Sequence, residues 1–387
     1  MSTDLLKIEV PRAELKTALQ TVAIGIEGGE DDKLSTHYTF RVTDGKVEML
    51  AAGPRVFASY QLDGTKVTAD TGSFTVPGWR LKGWVDVVTD DTLTLEHENA
   101  VTRLVSTKGS GKVQSLDASQ FPYWDTTLAG ATLTATVDPK PFLTGMDYAK
   151  RFTSDQDTKN PTLVLVECRN GMLHATDTLA FSLVEVPGLT NLKIRVNNKD
   201  VSAVNAFMGL VGDQKVEILE TEKCQFFRSG NRLLGVSRWM YEFPALNMNR
   251  DEANKASVTV KAADLKSALS YVEKFAKKLD RTAYFSFTED PLGGGTSLNV
   301  SAASAANSDE RDSVAVAVSA STGLDAFTAA GYTEFRLSRD YLDKVLSAWD
   351  ATEDITLGLG WTKKNGFARF RRVKDQTDYF TVIVWSK

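Results

Sequence analysis

Cysteine is nearly absent. Two residues, Cys168 and Cys224, in a chain of 387 cannot build a disulfide framework and point to a reducing compartment. Histidine is also scarce. His37, His97 and His174 lie far apart, none has metal-ligand spacing with a cysteine, and all read as ordinary strand residues. No apolar run reaches the roughly 18 residues that suggest a membrane span. Met1-Ser2-Thr3-Asp4 has neither the basic nor the apolar region of a secretory signal, so the cytoplasm is the expected location. No serine occupies a nucleophile elbow. Gly109-Ser110-Gly111-Lys112 resembles the tail of a phosphate loop, but it lacks the earlier glycine and is followed by Val113, so it reads as a turn. Asp155 and Asp157 fall in a polar run, 153–160, that reads as a solvated loop. These absences leave no enzyme, metal or cofactor to expect. Excess positive charge is missing too. With 45 basic and 50 acidic side chains the net charge is −5, which on average speaks against nucleic acid.

What is present is repetition. Leu15-Lys16-Thr17-Ala18-Leu19 returns 250 residues later as Leu265-Lys266-Ser267-Ala268-Leu269. Each follows an alternating run, Ile8-Glu9-Val10 and Val258-Thr259-Val260. A third, weaker copy starts at Val137, with Phe142 and Met146 in the two leucine places. The ends repeat as well, since Phe121-Pro122 is matched by Phe243-Pro244. An apolar content of 42% and a charged content of 25% suit a soluble globular chain, and the length suits two to three domains. Three units are expected, over 1–129, 130–250 and 251–387, with linkers at 128–131 and 249–256.

Within each unit a strand leads into a helix, hairpin strands follow, and the plan repeats. Leu15, Ala18, Leu19 and Val22 have the i, i+3, i+4, i+7 spacing of a buried helical stripe, with Pro11 in the first turn. Asp44-Gly45, Asn170-Gly171 and Gly230-Asn231 mark tight turns. Further helices are expected at 77–88, 138–151, 199–210, 265–278 and 339–350, the last with Ser338 as its N-cap. Hairpins this short cannot make parallel crossovers, so the class is α+β. The six helical segments sum to a charge of +5, leaving −10 on sheets and loops. Arg12, Lys16, Arg80, Lys82, Lys150, Arg151, Lys199, Lys266, Lys274 and Lys277 supply the candidate phosphate contacts. If all six helices shared one surface, it would attract phosphate without reading bases. A repeat-built protein-interaction scaffold without a DNA role is the alternative.

The threefold repeat, the two Phe-Pro ends and Ala175-Thr176-Asp177 together resemble the bacterial-type DNA polymerase sliding clamp, the beta subunit of replicative DNA polymerase III. The resemblance covers essentially the whole chain. It implies three tandem clamp domains per chain and a ring built from a head-to-tail homodimer. It also implies a processivity factor whose partners are double-stranded DNA, a DNA polymerase and a clamp loader. By position, the family's pocket for partner peptides falls on Thr176, Thr178, Phe181, Pro244, Val382 and Val384. Its DNA-touching loop falls on Gln156 and Lys159, and its apolar subunit contact near Phe275. Thr178-Leu179-Ala180 stands where the family motif has Gly-His-Arg, and Asn160-Pro161 where it has tyrosines. Such departures suggest a divergent clamp encoded by a phage or mobile element.

Overall fold

The computed structural model describes residues 5–26, 33–156, 159–189, 192–244, 252–276, 281–289, 295–304, 310–362, 365–374 and 377–385. Among these residues the helices are α1 (Arg12–Val22), α2 (Gly78–Val87), α3 (Asp125–Ala129), α4 (Pro139–Lys150), α5 (Asn198–Leu210), α6 (Ala262–Phe275), α7 (Leu324–Ala329) and α8 (Arg339–Leu346). The two short ones, α3 and α7, have no counterpart in the sequence pattern, because five or six residues are too few to display a 3.6-residue period. The repeated leucine stripe is buried as its spacing requires. In α1 it comprises Leu15, Ala18, Leu19 and Val22, and in α6 Leu265, Ala268, Leu269 and Val272. Each buried leucine contributes about 1.5–3 kcal/mol.

The chain forms two compact units, Met1–Thr144 with Gly188–Met240, and Gly145–Pro187 with Tyr241–Lys387. The cause lies in the strand pairing. In the first unit Val56–Leu62 pairs antiparallel with Arg232–Ser237, so strands of the first and middle repeats form one sheet. In the second unit Ala180–Glu185 pairs antiparallel with Thr377–Trp385, joining the middle and last repeats. Each unit also carries a smaller sheet ending in an edge strand, Gly109–Gln114 in the first and Arg311–Ala317 in the second.

Two aromatic clusters anchor these layers. In the first unit Trp124 stacks on Phe57 at 5.4 Å and meets Phe226 edge-on at 5.9 Å. Leu128 and Ala131 pack against the same core. The expected linker 128–131 is therefore the end of α3 and its exit, held by apolar contacts rather than by solvent. In the second unit Phe327, Tyr332 and Trp385 pack together, with Tyr332 and Trp385 centroids 5.1 Å apart. Gly366 makes room for that tryptophan, since a Cβ there would lie 2.0 Å from Trp385 Cε2.

Local departures from the sequence reading have simple causes. Asp44-Gly45 and Asn170-Gly171 do form turns, with both residues of each pair at positive φ. The expected turn at Gly109–Lys112 is instead the start of the edge strand. The reversal occurs at Thr107-Lys108, where the Thr107 N–H and hydroxyl both donate to the Asp90 carboxylate at 2.6 Å. Pro11 ends the first strand and occupies the N-cap of α1 rather than its first turn. Ser338 sits at the N-cap of α8, but its hydroxyl makes no capping bond. The sixfold strand–helix plan is otherwise as expected, although α6 begins at Ala262, three residues before Leu265.

Candidate nucleic-acid interface and partner pocket

In the first unit the adjacent helices α1 and α2 bring two expected cations together. Lys16 and Lys82 line one cleft of ≈ 280 Å³ with Leu19, Gln20, Ala23, Tyr38 and Asp86. Burial pushes the Tyr38 phenol up to about 12, so it stays neutral and the cleft's charge comes from two lysines against one aspartate. Arg80 is exposed, its guanidinium 3.9 Å from the centre of the Trp79 ring. Arg12 is partly occupied, because its Nε–H donates to the Val85 carbonyl at 3.2 Å in the last turn of α2. A cation there also complements the negative end of that helix. Lys199 is exposed at the second position of α5, and its backbone N–H donates to the Asn197 side chain at 3.0 Å.

In the second unit the expected cations are more heavily engaged. Arg151 pairs with Asp147 at 2.7 Å and also donates to the Ser347 hydroxyl. Lys266, which matches Lys16 in the repeat, donates to the Trp349 carbonyl at 2.6 Å. Lys150 ends α4, and its carbonyl accepts from Thr153. Gln156, Lys159 and Lys274 are exposed. Lys277 lies outside the described residues.

Three of the residues expected in the partner pocket meet through strand register. Thr176 pairs with Phe181 across a hairpin, and Phe181 with Val382 some 200 residues on, so one cross-strand row joins two distant parts of the sequence. All three are buried, at 2%, 4% and 2% exposure, so their side chains belong to the core beneath the surface. Val384 lies two residues along the same strand, is half-buried, and its N–H donates to the Leu179 carbonyl at 2.9 Å. Thr178 and Leu179 are exposed at the hairpin turn, and Pro244 is half-buried beside Phe243. Phe243 packs on the His174 ring at 5.9 Å, and His174 is 6.1 Å from Phe181. Burial lowers the His174 pKa to about 4, outweighing the Arg169 carbonyl that opposes the shift, so the imidazole is neutral at pH 7.

Two neighbours of this site were not legible in the sequence. Arg369 extends the row beyond Val382 and pairs with Glu252. Tyr341 of α8 donates to the Asp177 carboxylate. Alternation along the last strand signals which residues share a face, but nothing local signals which distant strand lies beside it.

Phe275 is exposed at the end of α6 and contacts Tyr271 with ring centroids 5.0 Å apart. Tyr271 in turn lines a cleft of ≈ 620 Å³ with the edge-strand residues Ser313–Ala317. Among the described residues there is no cluster of three or more histidine, cysteine or acidic side chains suited to a metal, and no helix long and apolar enough to cross a membrane.

Solved structures carry this same arrangement of strands and helices from end to end. The beta subunit of DNA polymerase III from Thermotoga maritima matches with a TM-score of 0.77 over 99% of both chains, at 16% identity. The beta subunit from Streptococcus pyogenes matches with a TM-score of 0.80 over 98% of this chain and 100% of its own, at 13% identity. The chain has the sliding-clamp fold. The Pseudomonas aeruginosa DnaN sliding clamp bound to griselimycin matches at 0.78 over 99% and 100% of the two chains, at 15% identity. No family model and no curated protein matches by sequence. The fold is thus shared at identities of only 13–16%.

Proposed function

We propose that this chain is a DNA polymerase processivity factor, a divergent sliding clamp that closes around duplex DNA as a head-to-tail homodimer. Its domains would be 1–129, 130–250 and 251–387, each contributing two helices to the inner surface. The observation that carries this reading is the clamp fold over 98–99% of the chain and 99–100% of the matched beta subunits.

The mechanism is topological rather than catalytic. A closed ring needs no base contacts, only a surface that tolerates phosphate and lets the duplex slide. Lys16 and Lys82 in their shared cleft, with Arg80, Lys199 and Lys274, supply it, while the overall charge of −5 disfavours DNA elsewhere. Arg12, Arg151 and Lys266 serve partly as structural ties, with Lys150, Gln156, Lys159 and Lys277 completing the proposed DNA-facing set. Edge strands support the closure. Gly109–Gln114 of one protomer pairing with Arg311–Ala317 of the next would continue two sheets into one, with Phe275 and Tyr271 beside the seam. The row of Thr176, Phe181 and Val382, edged by Thr178, Pro244 and Val384, would receive apolar peptides from a polymerase and a clamp loader. The Pseudomonas clamp is bound to griselimycin, and we propose the same compound as a ligand of that pocket and its probe. The site of action is the cytoplasm, and the departures at the pocket turn fit a phage or mobile-element origin.

Sedimentation at micromolar concentration with negative-stain imaging tests this directly. A dimeric ring with a central hole is expected. A monomer or a trimer would overturn the reading.

A further inference from the structure

The turn that edges the partner pocket is conformationally costly. Thr178 has φ of +82°, in a region that β-branched residues rarely occupy. Four local hydrogen bonds hold it there. The Thr178 N–H donates to the Thr176 hydroxyl at 3.0 Å, and that hydroxyl donates to the Ala180 carbonyl at 2.7 Å. The N–H groups of Leu179 and Ala180 both donate to Asp177 Oδ1, at 3.1 and 2.9 Å. Two of the four bonds depend on where the Asp177 carboxylate points, since rotating it would release both amides. Its second oxygen, Oδ2, accepts from the Tyr341 hydroxyl at 2.5 Å. Tyr341 belongs to α8, 164 residues away in sequence, and packs beneath Lys344.

We propose that Tyr341 is a positioning residue for the partner pocket: through Asp177 it fixes the strained turn that presents Leu179 beside Val384. The proposal rests on the clamp reading of the pocket. It adds that the recognition edge is held from a helix on which no partner contact has been assigned. Leu179 is 57% exposed, and its carbonyl is held by the Val384 N–H, so a shift of the turn would move an apolar wall and the last strand's anchor together. Phenol burial and the neighbouring carboxylate both raise the Tyr341 pKa, so the hydroxyl keeps its proton and remains a donor across the physiological range.

The test uses the full chain and three variants, Tyr341→Phe, Thr178→Gly and the double variant. Hydrogen exchange of the 177–180 amides and griselimycin affinity are measured for each. Tyr341→Phe should speed exchange at 177–180 about tenfold and weaken griselimycin about tenfold, the scale of a lost hydrogen bond to a charged group. Exchange within α8 should stay unchanged. Adding Thr178→Gly should restore much of both losses, because glycine holds positive φ without the anchor. A purely structural defect in α8 would not be rescued from the turn. Unchanged exchange at 177–180, or absence of rescue, overturns the proposal. If the unsubstituted protein binds griselimycin and Tyr341→Phe binds it equally well, only the role of Tyr341 fails. If the unsubstituted protein does not bind it, the pocket reading fails and the role falls with it.

Discussion

Lys266 donates from its ammonium to the Trp349 carbonyl oxygen at 2.6 Å, tying α6 to the segment that follows α8. A charged donor to a carbonyl in a partly buried place stabilises by about 1.5–3 kcal/mol. Lys266→Met keeps the apolar stem and removes the bond. It should lower the unfolding free energy by about 1.5–3 kcal/mol in denaturant titration. Lys274→Met on the same helix, where the lysine is exposed, should change it by less than about 0.5 kcal/mol.

Trp124 separates a packed connection from a solvated linker. It touches Phe57 from the first repeat and Phe226 from the middle one. Trp124→Ala should cost about 2–3 kcal/mol, below the about 3–5 kcal/mol of a fully buried aromatic because Trp124 is half-buried at the edge of that cluster. A loss below about 1 kcal/mol would mean that the connection contributes little to the core.

These two cases show what the sequence conveys and what it withholds. The leucine stripe of α1 and α6 was legible because 3.6-residue periodicity is a local property, and Asp-Gly and Asn-Gly turns announce their positive φ directly. Local pattern could not reveal that Val56–Leu62 lies beside Arg232–Ser237, or that Ala180–Glu185 lies beside Thr377–Trp385, because register between distant strands is a tertiary outcome. Motif resemblance points to the candidate pocket residues, and strand register brings Thr176, Phe181 and Val382 into one row. Its anchor through Tyr341 and Asp177 had no sequence signal. Nor did the bonds that engage Arg12, Arg151 and Lys266, since a lysine on a helix surface looks the same whether its ammonium meets water or a carbonyl.

Lys16 and Lys82 share a cleft, so reversing both charges should act on DNA rather than on folding. Lys16→Glu with Lys82→Glu should shorten retention on loaded DNA at low salt and flatten its salt dependence, since fewer counterions are released per bound duplex. Polymerase stimulation should fall in parallel. An unchanged salt slope would remove these lysines from the DNA-facing set.

His174 gives the fold an acid sensitivity. Its pKa in the folded state is lowered to about 4 by burial, against about 6.5 for a free histidine. The unfolded chain therefore takes up the proton first. Stability is full above about pH 6.5 and is lost as pH falls toward about 4, by up to about 3 kcal/mol. Carboxylates held below their usual range, such as Asp125 beside Arg41 and Glu334 beside Arg311, lose their contributions mainly at lower pH. His174→Gln should flatten the stability profile between pH 6.5 and 4. A profile as steep as that of the unsubstituted protein would contradict the assignment.

The central claim is that the chain holds DNA by encircling it. Protein assembled on nicked circular duplex should remain bound through gel filtration at moderate salt, and should be lost when the same circle is cut once by a restriction enzyme. Equal retention on the intact circle and on the cut, free-ended DNA would contradict it.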